Sequence, residues 1–153
     1  MGVLYSVFPL DEAIAVYLRD HGVDVPDPIA ASRNPTPREL RLACNSQTGF
    51  KAEVFSPPTH SWQIMIEGST APENEPWTLL NVTDFNGDET SPHSIWFEKG
   101  WPSLILRIVH TLSATCGPLV IWPDTGEVPV IVNSVDDPDI LIATWEHTRP
   151  DDP

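Results

Sequence analysis

The chain has 153 residues, 41% of them hydrophobic, and carries 22 Asp plus Glu against 8 Lys plus Arg, for a formal net charge of −14. That length fits one domain with a core of useful size, and six Trp residues exclude a disordered chain. The negative balance excludes the electrostatic footprint of a nucleic-acid or anionic-membrane binder, because phosphate contacts dominate such affinity.

Residues Gly2 to Phe8 are apolar, β-branched or aromatic and predict a strand ended by Pro9. Leu10, Ile14, Tyr17, Leu18 and His21 share a stripe at helical spacing, with Asp11 and Glu12 at the positive end and Gly22 after it, so Leu10 to His21 predicts a helix. Val23 to Thr36 holds three Pro and reads as a loop, and Pro37 to Ala43 as a short helix. Strands follow at Phe50 to Phe55, at Trp62 to Glu67, at Trp77 to Phe85 and at Ser94 to Glu98. In the second of these Trp62, Ile64 and Ile66 point one way and Gln63 and Glu67 the other. Thr70 to Pro76 is an acidic turn, and Asn86-Gly87 signals a tight hairpin.

Gly100 to Gly117 is the clearest helix, with Pro102 in its first turn, one apolar face of Leu104, Ile105, Ile108, Val109 and Leu112, and a stop at Gly117-Pro118. Leu119 to Trp122 and Val128 to Val132 are continuous apolar runs joined by Pro123-Asp124-Thr125-Gly126, the pattern of central strands covered on both faces. Asp137-Pro138 opens a last helix that runs to about Trp145. The seventeen Pro punctuate these elements. Hairpins mixed with helices predict an α+β fold, a mainly antiparallel sheet with two or three packed helices, in a single domain over residues 1–150 with a frayed tail at 151–153.

Two cysteines far apart, Cys44 and Cys116, argue against a disulfide scaffold and for a reducing, cytoplasmic setting. The start has no basic region or cleavage site of a secretory leader. Met1-Gly2-Val3-Leu4-Tyr5-Ser6 satisfies the myristoylation pattern, but no polybasic patch supplies a second anchoring signal. No apolar run approaches the roughly 20 residues of a spanning helix. Neither His-Glu-x-x-His nor Cys-x-x-Cys spacing occurs, so neither metal nor cofactor is expected. Asp84 to Glu89 resembles a calcium loop in part, yet its glycine is misplaced and the twelfth position is Ile95. No Gly-x-Ser-x-Gly elbow or phosphate-cradling loop is present, and no catalytic residue is assigned.

The acidic residues are concentrated. No Lys or Arg lies between Ala52 and Glu98, nor between Ile108 and Thr148. The basic residues Arg33, Arg38, Arg41 and Lys51 form one cluster, expected to balance neighbouring carboxylates. Trp96 and Trp101 flank a glycine just before the best helix, where they pack at a strand–helix junction or anchor a contact patch.

The stretch Ser94-Ile95-Trp96-Phe97-Glu98-Lys99-Gly100-Trp101-Pro102, the helix after it, and Gly117-Pro118-Leu119-Val120-Ile121-Trp122-Pro123-Asp124-Thr125-Gly126 with the following β run resemble bacterial immunity proteins of the polymorphic-toxin type. The resemblance covers the C-terminal half. It implies a cytoplasmic, non-enzymatic protein that blocks a toxin delivered by contact-dependent, Rhs-type or type VI secretion. On charge and turn placement, the expected partner-binding residues are Glu67, Glu73, Glu75, Asp84, Asp88 and Glu89, with Trp77 or Trp101 as aromatic anchor. The partner expected is a cognate protein toxin with a basic, nuclease-like surface, with no nucleic acid or membrane as partner. Two other readings stand beside it: a small enzyme or small-molecule binder using Cys44, His60 or His93, and a structural or assembly subunit.

Overall fold

The computed structural model describes residues 3–55, 62–68, 77–85, 87–98 and 101–148. The expected acidic turn at Thr70 to Pro76, and with it Glu73 and Glu75, lies outside the described residues, as do His60 and the C-terminal tail. In chain order the elements are β1 (Leu4–Pro9), α1 (Glu12–Asp20), α2 (Pro37–Asn45), β2 (Phe50–Phe55), β3 (Trp62–Gly68), β4 (Trp77–Val82), β5 (Ile95–Glu98), α3 (Pro102–Cys116), β6 (Leu119–Pro123), β7 (Val130–Val132) and α4 (Pro138–Thr148).

Local chemistry sets the helix starts. Asp11 caps α1 by accepting from the Ile14 N–H at 2.9 Å. Thr36 and Glu39 make a reciprocal capping box at α2, with Pro37 in the first turn. That box carries the second helix through nine residues, so four helices pack on the sheet where two or three were expected. At α4, Asp137 Oδ1 accepts from the Asp139 N–H at 2.9 Å, with Pro138 opening the helix as the sequence predicts.

The seven strands form one antiparallel sheet in the order β2-β3-β4-β5-β1-β6-β7. Strands β2 to β5 are a meander. The N-terminal strand then inserts between β5 and β6, pairing Tyr5 with Phe97 on one side and with Pro123 on the other. Both neighbours run antiparallel to β1, so β5 and β6 run parallel to each other, and α3 makes the crossover between them.

Two expectations fail here. Asn86 lies outside the described residues, but β4 and β5 are not joined by a two-residue turn at Asn86-Gly87: their last paired residues are Val82 and Ile95, and the Thr83 N–H donates to the Ser94 carbonyl at 2.9 Å. The connection folds back onto α2 instead, so its length follows from a tertiary contact and not from the turn residues. The run at Val128 to Val132 is not central either. Only Val130–Val132 pairs, and β7 ends the sheet order. Its apolar character is explained by α4 and α1 flanking that end of the sheet, with Val132 in the main core and Ile131 packed on the α1 side.

Alternation divides the residues between two faces. Tyr5, Val7, Ile64, Ile66, Leu80, Ile95, Phe97 and Ile121 face α2, α3 and α4, and all are buried. Helix α3 buries most of its surface, through Leu104, Ile105, Leu106, Ile108 and Val109, and turns Arg107, Thr111 and Ala114 to solvent. Full burial of each such side chain contributes about 1.5–3 kcal/mol. On the other face Val120 of β6 joins Leu10, Ala15, Leu18 and Val25 in a second, smaller core under α1. Strand β6 is therefore covered on both faces, as its sequence predicts.

Candidate interaction surface

Helix α1 packs over β6 and β7. Among the described residues, no helix packs on that same face of β1 to β5. The strand registers define what it shows. One cross-strand row runs Gln63, Asn81, Trp96, Ser6 and Trp122. The next runs Glu53, Met65, Leu79, Glu98 and Leu4, and the third Lys51, Glu67 and Trp77. Met65, Trp77, Leu79 and Trp96 are each half-buried, while Leu4 and Phe8 are exposed at 40% and 37%. The Gln63 amide donates to Asn81 Oδ1 at 2.7 Å, which satisfies the polar pair in the middle of the first row. The result is a sheet face of aromatic and aliphatic side chains bordered by the carboxylates of Glu53, Glu67 and Glu98.

The residues singled out from the sequence fall in two places. Glu67 and Trp77 are Cα partners on this open face. Lys51 Nζ approaches Glu67 at 3.5 Å. The Trp101 N–H donates to the Trp77 carbonyl at 3.2 Å, but the Trp101 side chain packs against the main core. Asp84, Asp88 and Glu89 sit beyond the opposite end of β4, in the connection that folds onto α2. Asp84 adopts a left-handed backbone, φ 53°. Asp88 organises its own loop: the hydroxyls of Ser91 and Thr90 and the Thr90 N–H donate to it, which holds its carboxyl down at about 2. Glu89 forms a two-point ion pair with Arg41, at 2.6 and 3.0 Å, and the Arg41 guanidinium holds its pKa below the ordinary value.

Sequence reasoning offered Trp96 as a candidate contact anchor but did not find Met65 and Leu79 as surface residues. Their outward parity was legible strand by strand, yet the absence of a covering helix there depends on where α1 docks.

Three of the four cations of the basic cluster meet carboxylates of the chain, as expected. Arg33 pairs with Glu39 at 2.6 Å, Arg41 with Glu89, and Lys51 with Glu67. Burial pushes the Cys44 thiol up to about 12 and the Cys116 thiol up to about 11, the latter aided by Glu39. Both therefore stay protonated near neutrality, away from the thiolate that nucleophilic chemistry at Cys44 would use. The His93 N–H donates to the Pro35 carbonyl, and its ring stands edge-on to Phe85 at 5.9 Å. No group of three or more His, Cys, Asp or Glu side chains suited to a metal ion occurs among the described residues. Nor is any described helix long and apolar enough to cross a membrane.

Together these features define a single-domain α+β protein built on a seven-stranded antiparallel sheet, with a partly apolar, acid-bordered face. Comparison with known proteins finds no matching family model, curated protein or solved structure.

Proposed function

We propose that this chain is an immunity protein: a cytoplasmic binding protein that neutralises a cognate secreted toxin by laying an acidic surface on a basic surface or active-site groove. The observation that carries this reading is the uncompensated charge. Arg33, Arg41, Lys51 and Arg107 are held in ion pairs with Glu39, Glu89, Glu67 and Asp139. Each pair cancels one charge of each sign, so the full surplus, 8 − 22 = −14, stays available to a partner. A field of that sign speeds encounter with a cationic protein, and half-buried aromatic side chains then slow dissociation. The resemblance of the C-terminal half to immunity proteins supports the same conclusion.

Co-expression with the product of the adjacent open reading frame tests it. Toxicity of that product is expected to be relieved by this chain, the two are expected to copurify, and the association rate is expected to fall steeply with added salt. A harmless neighbour that does not bind would overturn the reading.

One observation favours a second reading, a small-molecule binder. A cleft of about 640 Å³ lies between the end of α1, the β6–β7 connection and α4, walled by Val23, Val128, Val130, Leu141 and Trp145. Its apolar lining suits a nonpolar ligand. Calorimetry against such ligands, with heat absent from a Leu141→Glu variant, would move the assignment to this cleft.

A further inference from the structure

A hollow of about 410 Å³ opens where β1 meets β6, lined by Ser6, Phe8, Trp122, Pro123, Asp124 and Gly126. It continues the uncovered sheet face, because Ser6 is the Cα partner of both Trp96 and Trp122. Two rings form its corner: Phe8 stands at 89° to Trp122 with centroids 6.0 Å apart. Tyr17, outside the hollow, packs on Trp122 at 4.8 Å and in turn stacks on His21 at 4.0 Å, so the indole is braced. Asp124 is exposed, and its position is set twice by β1. Its Oδ1 accepts from the Leu4 N–H at 3.1 Å and its own N–H donates to the Leu4 carbonyl at 2.9 Å.

We propose that this hollow receives an arginine side chain of a basic partner protein. The chemistry of the lining selects the occupant. Aromatic faces are electron-rich and attract a cation. The single charged group of the lining is a carboxylate, and no Lys or Arg contributes to it. An anion would be repelled, and a purely apolar side chain would strip water from the Asp124 carboxylate, whose charge a single Leu4 N–H does not balance, which is costly. A planar guanidinium can lie on a ring while its edge donates to a carboxylate; an ammonium cannot do both with the same geometry. The inference rests on the proposed role as a binder of a basic protein and locates the contact that such a partner would make.

The test uses the intact chain and three probes: pentaarginine, pentalysine and pentacitrulline, the last being the neutral analogue of the first. The readout is the Trp122 indole N–H resonance, assigned with Trp122→Phe, together with the dissociation constant. Pentaarginine is expected to move that resonance and pentacitrulline to leave it in place. Asp124→Asn keeps an oxygen for the Leu4 N–H, and it is expected to weaken pentaarginine about fivefold or more, as loss of a charge-assisted contact beside an aromatic face should. Asp24→Asn removes the same charge at an exposed position outside the hollow and is expected to change binding by less than about twofold.

Equal weakening by the two variants, or an unmoved Trp122 signal, would overturn the proposal; an equal response to pentalysine would overturn the assignment to arginine. The two readings separate in the toxin assay. A toxin that binds and is unaffected by Asp124→Asn removes the hollow but leaves the immunity role. Pentaarginine seated in the hollow with no toxin bound keeps the hollow and removes that role.

Discussion

Arg41 and Glu89, 48 residues apart in sequence, meet in a two-point ion pair while the Arg41 guanidinium also lies 5.2 Å from the Trp62 ring centroid. This contact ties the β4–β5 connection to α2 and to the end of β3. Glu89, which charge placement sets among the partner-binding carboxylates, thus also takes part in a contact that holds the fold. The pair is 40% and 38% exposed, so solvent screening limits its contribution to about 0.5–1 kcal/mol. The cation–π contact adds about 0.5–1 kcal/mol. Arg41→Ala is expected to lower unfolding free energy by about 1–2 kcal/mol in urea titrations, the sum of those two contributions. Glu89→Gln is expected to change stability more than affinity for the proposed basic partner, a contrast read by setting denaturation beside binding.

Acid sensitivity should centre on Glu39. The Arg33 guanidinium, aided by Thr36, lowers its pKa from an ordinary 4.5 to about 2. A carboxyl held down by the fold adds stability that is fully present above pH 4.5 and is lost as pH falls towards 2. Arg33 is 43% exposed, so after screening the loss is about 1–2 kcal/mol. Glu39→Gln keeps a capping side chain but not the charge, and is expected to flatten the stability profile across that window in thermal melts.

The thiols offer a chemical check on the packing of α2 and α3. Cys44 is fully buried and Cys116 is 2% exposed. With their pKa values pushed up to about 12 and 11, neither is expected to react with a disulfide reagent in the native protein at pH 8. Both should react once urea unfolds the chain. Rapid native labelling of either would contradict the packing described.

Two glycines with similar positive φ should respond differently to substitution. At Gly117, φ 85°, an added Cβ would fall on the Ala31 carbonyl oxygen. Backbone cannot yield as a side-chain tip can, so Gly117→Ala is expected to cost more than about 3 kcal/mol. At Gly126, φ 87°, a Cβ would meet nothing within 4 Å. There only the left-handed conformation is penalised, and Gly126→Ala should cost about 1 kcal/mol. Chemical denaturation of both variants measures the difference.

The elements, their order and the α+β class were readable from residue patterns. Alternation in Trp62 to Glu67, the Asp11 cap and the Pro102–Gly117 bounds of α3 act within a few residues, where side-chain period and backbone capping leave little choice. Charge was readable too, because it is a sum over the chain. The insertion of β1 between β5 and β6 was not, since strand pairing joins Tyr5 to Phe97 across more than ninety positions and local propensity is silent about such partners. That insertion, with α1 docked on β6 and β7, leaves Trp96, Leu79 and Met65 without a helix over them among the described residues and brings Phe8, Trp122 and Asp124 to one hollow. The β2–β3 register brings Glu67 to Lys51, and the fold-back of the β4–β5 connection onto α2 brings Glu89 to Arg41. Hydrophobic period selects which side of a strand turns inward; which neighbour arrives to cover the other side depends on long-range packing, and the candidate site is built from that packing.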